Sequence, residues 1–338
     1  MNPKALLSAL DPRVRQRLLN LARILVTVGL LALVIWQIKP DELLARVRTI
    51  RLSLYALALL LSCAGILVRA YRWLILLRAV GARVSFRRAV YLYFVGAFFN
   101  TFLPTGFGGD VVRVLEIGEG ATSQQAAGTV LIDRLTGFIM LFVLALVALP
   151  FAINLIPPVL VWVIAALAGG VVLGSVLLFE GRLLRLLTAR FPRALSLAGD
   201  AWIGKTYAVI TACGARAVTG ALFWSLIFNV IQITANVLTA EALGVRVSPW
   251  LFFLFVPVAT IALLLPSISG FGVREGIYIL LFGQVGVNET QAVALSLGAY
   301  SIDFAAGVLG GVIYLGAGVL RLRSKQGAEA RPNPATEK

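Results

Sequence analysis

The sequence predicts an all-α polytopic membrane protein with about six spanning helices and two re-entrant, Gly/Pro-broken helical hairpins, arranged as an inverted repeat. Three observations carry this prediction. Of 338 residues, 60% are apolar and 13% charged, with a mean hydropathy of +0.94, which excludes an ordinary soluble domain. Several windows have no formal charge, among them 52–68, 217–240 and the whole run from Leu135 to Phe179, and a bilayer crossing needs ~20 mainly apolar residues. Two further apolar runs are broken by similar elements, "LPTGFGGD" at Pro104 and "LPSISGFGVREG" at Pro266.

Charge and composition narrow the function classes. A net charge of +15 in a soluble chain would suggest nucleic acid. Here the Arg and Lys clusters lie in gaps between apolar runs, as the positive-inside tendency predicts, and no nucleic-acid partner is expected. The two cysteines, Cys63 and Cys213, lack metal-like spacing and read as small apolar fillers. With no histidine, imidazole cannot serve as base, relay or ligand, so proton chemistry falls to carboxylates. No metal or other cofactor is expected.

The elements follow in order. Residues 1–20 form an N-terminal segment on the cytoplasmic side, and 24–38 form a first, uncleaved span flanked by Arg23 and Lys39. A second span covers 52–77. The 45 uncharged residues from Leu135 to Phe179 are too many for one helix and are divided by "PFAINLIPP", giving spans at 126–149 and 158–180. Residues 181–216 are mixed and basic and read as an amphipathic surface helix. Spans at 217–240 and 290–320 follow. The transmembrane domain is thus 21–322, with repeat halves at about 52–150 and 217–320, and 323–338 is a polar, disordered cytoplasmic tail.

The broken runs, 89–109 and 250–287, are either kinked spans or hairpins that return to the face they entered. Charge separates the two. With hairpins, six spans remain and both termini share a side, which then carries five cations in 1–23, six in 69–88, six in 181–216 and five after Leu320. The opposite side carries four in 39–51, none in 150–157 and one in 241–249. That bias favours hairpins with both termini cytoplasmic. Pro104 and Pro266 are 162 apart, and the preceding and following spans show offsets of 162 to 165. Each half therefore reads as span, hairpin, span, with the second copy inverted, an arrangement used by transporters.

Lipid would not tolerate one proline, three glycines and two opposite charges in "NTFLPTGFGGDVVR", so that segment must line a sheltered, polar space. Asn100, Pro104, Gly108 and Gly109 precede a short helix in which Asp110 is placed as N-cap and Arg113 in the first turn. The second copy places Ser267, Gly270 and Gly272 at the break, then Arg274 and Glu275. Freed backbone amides, a helix N-terminus and an arginine together favour an anionic group such as phosphate. Alternatively, Asp110 with Arg113 and Arg274 with Glu275 cancel charge locally. Asp133 and Arg134, two turns inside a span, form either a structural bridge or part of a site. Asp303 stands alone in the last span and needs Arg113, Arg134 or Arg274 from across the bundle. Asn229, Gln232 and Asn236 share a helical face and either line the path or join helices. Arg69 and Arg72 read as lipid-phosphate contacts near the inner interface, and Trp73, Trp224 and Trp250 as interface anchors.

"NTFLPTGFGGDVVRV", the following "DRLTG" and "LPSISGFGVREG" resemble the signatures of the lysylphosphatidylglycerol synthase transmembrane family, which includes the flippase portion of the multiple peptide resistance factor. The resemblance covers roughly residues 20–320. It implies a protein of the bacterial cell (inner) membrane that moves a lipid between leaflets, and it marks Arg113, Asp133, Arg134, Arg274 and Glu275 as functional residues. The chain ends at 338 without a soluble aminoacyl-transfer domain, so no synthase or other enzymatic activity is expected, and the lipid is either aminoacylated or another polar or polyprenyl-linked species. The expected partners are membrane lipids with an anionic or phosphate-bearing headgroup. Two other readings compete, an enzyme acting on lipid phosphates and a noncatalytic membrane partner of a glycosyltransferase or lipid-modifying enzyme; a homodimer is also compatible.

Overall fold

The computed structural model describes residues 48–102, 108–180, 202–263 and 272–329, all without strands. Ten α-helices run through them: α1 (Leu52–Ala79), α2 (Phe86–Phe102), α3 (Gly108–Leu115), α4 (Ser123–Ala152), α5 (Pro158–Glu180), α6 (Trp202–Ala212), α7 (Gly214–Ala242), α8 (Pro249–Ala262), α9 (Val273–Gly283) and α10 (Glu289–Glu329). A 3-10 turn, Ile153–Leu155, extends α4. Five of these helices, α1, α4, α5, α7 and α10, are long and apolar enough to cross a membrane. The expected span at 24–38 and most of the expected surface helix at 181–216 lie outside the described residues; of the latter, α6 packs on α4 at Gly128.

Local chemistry sets the boundaries, and it does so twice. Gly81 (φ 79°) and Gly244 (φ 69°) turn the chain after α1 and α7 in a left-handed conformation that glycine adopts without Cβ strain. They open the related stretches "GARVS" (81–85) and "GVRVS" (244–248), 163 residues apart. Ser85 then accepts a hydrogen bond from the Arg88 amide at the start of α2, while Ser248 precedes Pro249 at the first position of α8. Gly118 (φ 81°) and Gly286 (φ 83°) end the hairpins. α4 begins with a capping box in which Thr122 and Gln125 exchange bonds of 2.8 and 3.2 Å, and Asn288 and Gln291 do the same before α10 at 2.8 and 3.3 Å.

The two copies run in opposite directions. α1 lies antiparallel against α7: the Arg51 amide donates to the Ala242 carbonyl at 2.9 Å, Gly65 faces Phe228, Arg72 reaches Ser225 and Gly220 faces Ile75. α2 and α3 fold back on each other, so that Gly109 at the start of α3 meets Gly96 in the middle of α2 while the Arg83 amide donates to the Gly120 carbonyl at 2.7 Å where both arms of the hairpin end. Those ends lie at the C-terminal end of α1. In the second hairpin Phe252 and Phe255 of α8 pack on Phe282 of α9, with ring centroids 5.3 and 5.0 Å apart, at the C-terminal end of α7. The two hairpins therefore start at opposite ends of the antiparallel α1/α7 pair.

Each hairpin leans on the other copy: α2 packs along α10, and α8 along α4. The first contact is built on glycine, since a Cβ at Gly310 would overlap the Phe94 carbonyl and one at Gly311 would come within 2.7 Å of the Phe98 ring. Small residues that admit such close approach replace the hydrophobic drive that is missing between helices in lipid.

Three sequence expectations need correction. α4 continues through Pro150 to Ala152: the proline forfeits only its own amide bond to residue 146, and the helix ends soon after it. The tail expected from 323 begins inside α10, whose residues up to Glu329 are mostly good helix formers. Trp73 is no interface anchor: it is fully buried beneath α2, and its indole N–H donates to Thr129 at 3.0 Å.

Gly310→Ala is expected to lower thermal stability in detergent by about 1–3 kcal/mol, the usual cost of overpacking. Gly283→Ala, where nothing lies within 4 Å of an added Cβ, serves as the control in the same melting experiment and should shift little.

Candidate functional site

Asp133, on α4, is the centre of a charged cluster deep in the first copy. It is 2% exposed. The Nε of Arg72 on α1 donates to it at 2.7 Å, an NH2 group of Arg113 on α3 approaches at 3.4 Å, and the Tyr93 hydroxyl on α2 donates to its other oxygen. Four helices thus meet on one carboxylate, which fits the rule that a buried charge needs both ionic and hydrogen-bonding partners. Arg72 also donates to Ser225 on α7 at 2.8 Å, extending the link to the second copy.

Asp110 anchors the outer half of the cluster. It accepts from Arg113 at 3.0 Å and also pairs with Arg134. The sequence places it at the N-cap; it lies instead at the third position of α3, where its charge still favours the helix N-terminus. The Arg113 guanidinium lies against both Trp73 and Tyr93, 4.2 and 3.8 Å from the ring centroids, and like the carboxylate it serves it is buried. Asp133 and Arg134 do not pair with each other, since neighbours on a helix point about 100° apart. Gly108 and Gly109 are buried against α2; the Gly109 amide is taken by the Asn100 side chain at 2.7 Å, and its Cβ would collide with the Gly96 backbone. Close approach explains that glycine.

The second copy is more open. Gly272 (φ 80°) caps α9, and buried Glu275 accepts its amide at 2.7 Å and the Ser296 hydroxyl at 3.3 Å. Glu275 and Asp110 are 165 residues apart and occupy equivalent first-turn positions. Arg274 turns away from Glu275 to Asp303 on α10, at 3.6 Å, and over the Tyr300 ring at 5.2 Å. The Asp303 side chain is 49% exposed, against 3% for Asp133. Asn229 donates to the Gly137 carbonyl at 3.0 Å, and Asn236 binds Gln232 and Tyr278, so both join helices. Pro104, Ser267 and Gly270 lie outside the described residues.

Sequence reasoning missed the roles of Arg72, Tyr93 and Ser225. Arg72 is no interfacial lipid contact; it is 3% exposed and ion-paired. A buried arginine opposite an intramembrane aspartate was the available signal, and it needed the neighbourhood of α1 and α4 to be read. Among the described residues no group of acidic, histidine and cysteine side chains could hold a metal ion.

The arrangement defines a class: a multi-pass helical membrane protein with two oppositely directed copies around a charged interior. Residues 20–311 match the family described as the lysylphosphatidylglycerol synthase TM region, and the chain belongs to that family. It is also similar to the UPF0104 membrane protein PH1989 of Pyrococcus horikoshii, with 25% identity over 320 residues covering 86% of this chain and 95% of that one. No solved structure matches.

Asp133→Asn should leave Arg72 without its counter-charge and Arg113 with Asp110 alone, and cost about 3–5 kcal/mol. Asp303→Asn, at a half-exposed pair, should cost under about 1 kcal/mol. Paired melting curves of the two variants in one detergent check the difference.

Proposed function

We propose that the protein carries a polar, phosphate-bearing lipid between the two leaflets of the bacterial inner membrane, with both termini cytoplasmic and without chemically altering its cargo. The observation that carries the reading is the pair of folded-back hairpins, which enter from opposite ends of the α1/α7 pair and bring charged side chains inside a bundle of spans. Re-entry from opposite leaflets follows if α1 and α7 cross the bilayer, as their length and composition allow. The basic residues Arg78, Arg83, Arg87 and Arg88 cluster at the end of α1 where the first hairpin starts, and Lys205 and Arg216 belong to the same end through α6 and α7. That end is the cytoplasmic one by the positive-inside tendency. The family and the relative are membrane proteins, and the family description names a lipid synthase, which supports a lipid-related role.

The charged groups divide the work. Both oxygens of Asp133 are engaged and hold the first hairpin in place, whereas the Arg274–Asp303 pair is long and half-open, so its arginine can exchange a carboxylate for a phosphate.

Purified protein reconstituted into vesicles with labelled anionic phospholipid tests the reading. Wild type should scramble the label well above protein-free vesicles, and Arg274→Ala should slow it about 10- to 100-fold, the value of a lost charge-assisted hydrogen bond. Rates equal to protein-free vesicles for wild type, or unchanged by the substitution, defeat it.

A further inference from the structure

Arg69 is the arginine that the charged cluster leaves over. It sits on α1 ten residues before Ala79, so it lies roughly 15 Å from that end of the helix at 1.5 Å per residue, within the part of α1 that packs against α2 and α7. Its guanidinium lies 4.7 Å from the Phe228 ring on α7 and 5.6 Å from the Tyr93 ring on α2. Among the described residues it has no carboxylate or carbonyl partner, and its Nε is buried without an acceptor. Aromatic faces hold the cation without using its N–H groups. The in-plane fork that matches two phosphate oxygens therefore stays free.

The carboxylates nearby are already taken. Asp133 serves Arg72 and Arg113, Asp110 serves Arg113 and Arg134, and Asp303 serves Arg274. Among the described residues, Arg72, Arg113 and Arg134 share Asp110 and Asp133, and Arg69 adds a further cation beside Tyr93. A cation held in a membrane protein without a hydrogen-bonding partner is costly unless an anion answers it.

We propose that Arg69 binds the phosphate oxyanion of the cargo where α1 meets α2 and α7. The proposal rests on the lipid-carrying reading and adds a residue that the broken-helix motifs do not contain. The shared chemistry is a phosphate group, supplied by a lipid headgroup or by free phosphate.

Titration of the full chain in maltoside detergent with dihexanoyl phosphatidylglycerol, dihexanoylglycerol and inorganic phosphate separates these sources. Wild type should bind the phosphatidylglycerol and ignore the neutral diglyceride. Arg69→Gln should weaken that binding at least about tenfold, the effect of one lost charge-assisted contact. The ligand-free Arg69→Gln protein should melt no lower than wild type, because it loses an unanswered charge; a purely structural arginine would show the opposite. Wild-type affinity in Arg69→Gln overturns the proposal while leaving lipid transport standing. Binding of inorganic phosphate alone, lost in Arg69→Gln, keeps the anion site and removes the lipid reading. If Arg69→Gln does not fold, Arg69→Lys decides: it keeps the charge without the fork, and unchanged affinity there also overturns the proposal.

Discussion

A carboxylate cannot remain ionised inside a bilayer-spanning bundle without partners, and the structure is organised around how Asp133 meets that requirement. Its partners come from α1, α2 and α3, and through Arg72 the set reaches α7. The first hairpin could not slide along the spans without stripping Arg113 from Asp133 and Tyr93 from the same oxygen. A buried pair of this kind adds little net stability over an apolar one, but breaking it is severe. Its contribution is therefore positional: it selects one register for α2 and α3.

The second hairpin obeys a different rule. Glu275 is satisfied locally by Gly272 and Ser296, which fixes the start of α9, while Arg274 is left to a longer contact with a half-exposed Asp303. Two copies with the same helices and the same boundary turns thus differ in how firmly their arginines are held. Such asymmetry suits a machine in which one element stays put and the other changes partners.

The helices were largely legible in the sequence. Uncharged runs of span length, the proline cluster at 150–158 and the Gly/Pro breaks place α1, α4, α5, α7 and the start of α10 to within a few residues, because the bilayer imposes one length scale on all of them. The repeat was legible in more detail than element offsets suggest, since "GARVS" and "GVRVS" mark it directly. The site was legible only in part. Asp133, Arg113 and Asp110 stand out as charges in apolar surroundings, yet their pairing is tertiary: Arg72 and Asp133 are 61 residues apart and meet because α1 and α4 run antiparallel with the hairpin beside them. Trp73 shows the same limit, for its place near the end of an apolar run suggests an interface, and only the α2 hairpin over it makes it core.

The glycine-lined seam between α2 and α10 has a consequence for biosynthesis. Phe94 and its partner Gly310 are 216 residues apart in the chain. At 5 to 20 residues per second, the groove on α2 waits roughly 10 to 45 s for the helix that fills it. Throughout that interval the nascent first half displays an unsealed flank to the insertion machinery and to neighbouring lipid, so its topology must be held by its own ion pairs and basic flanks until the ribosome delivers the last span.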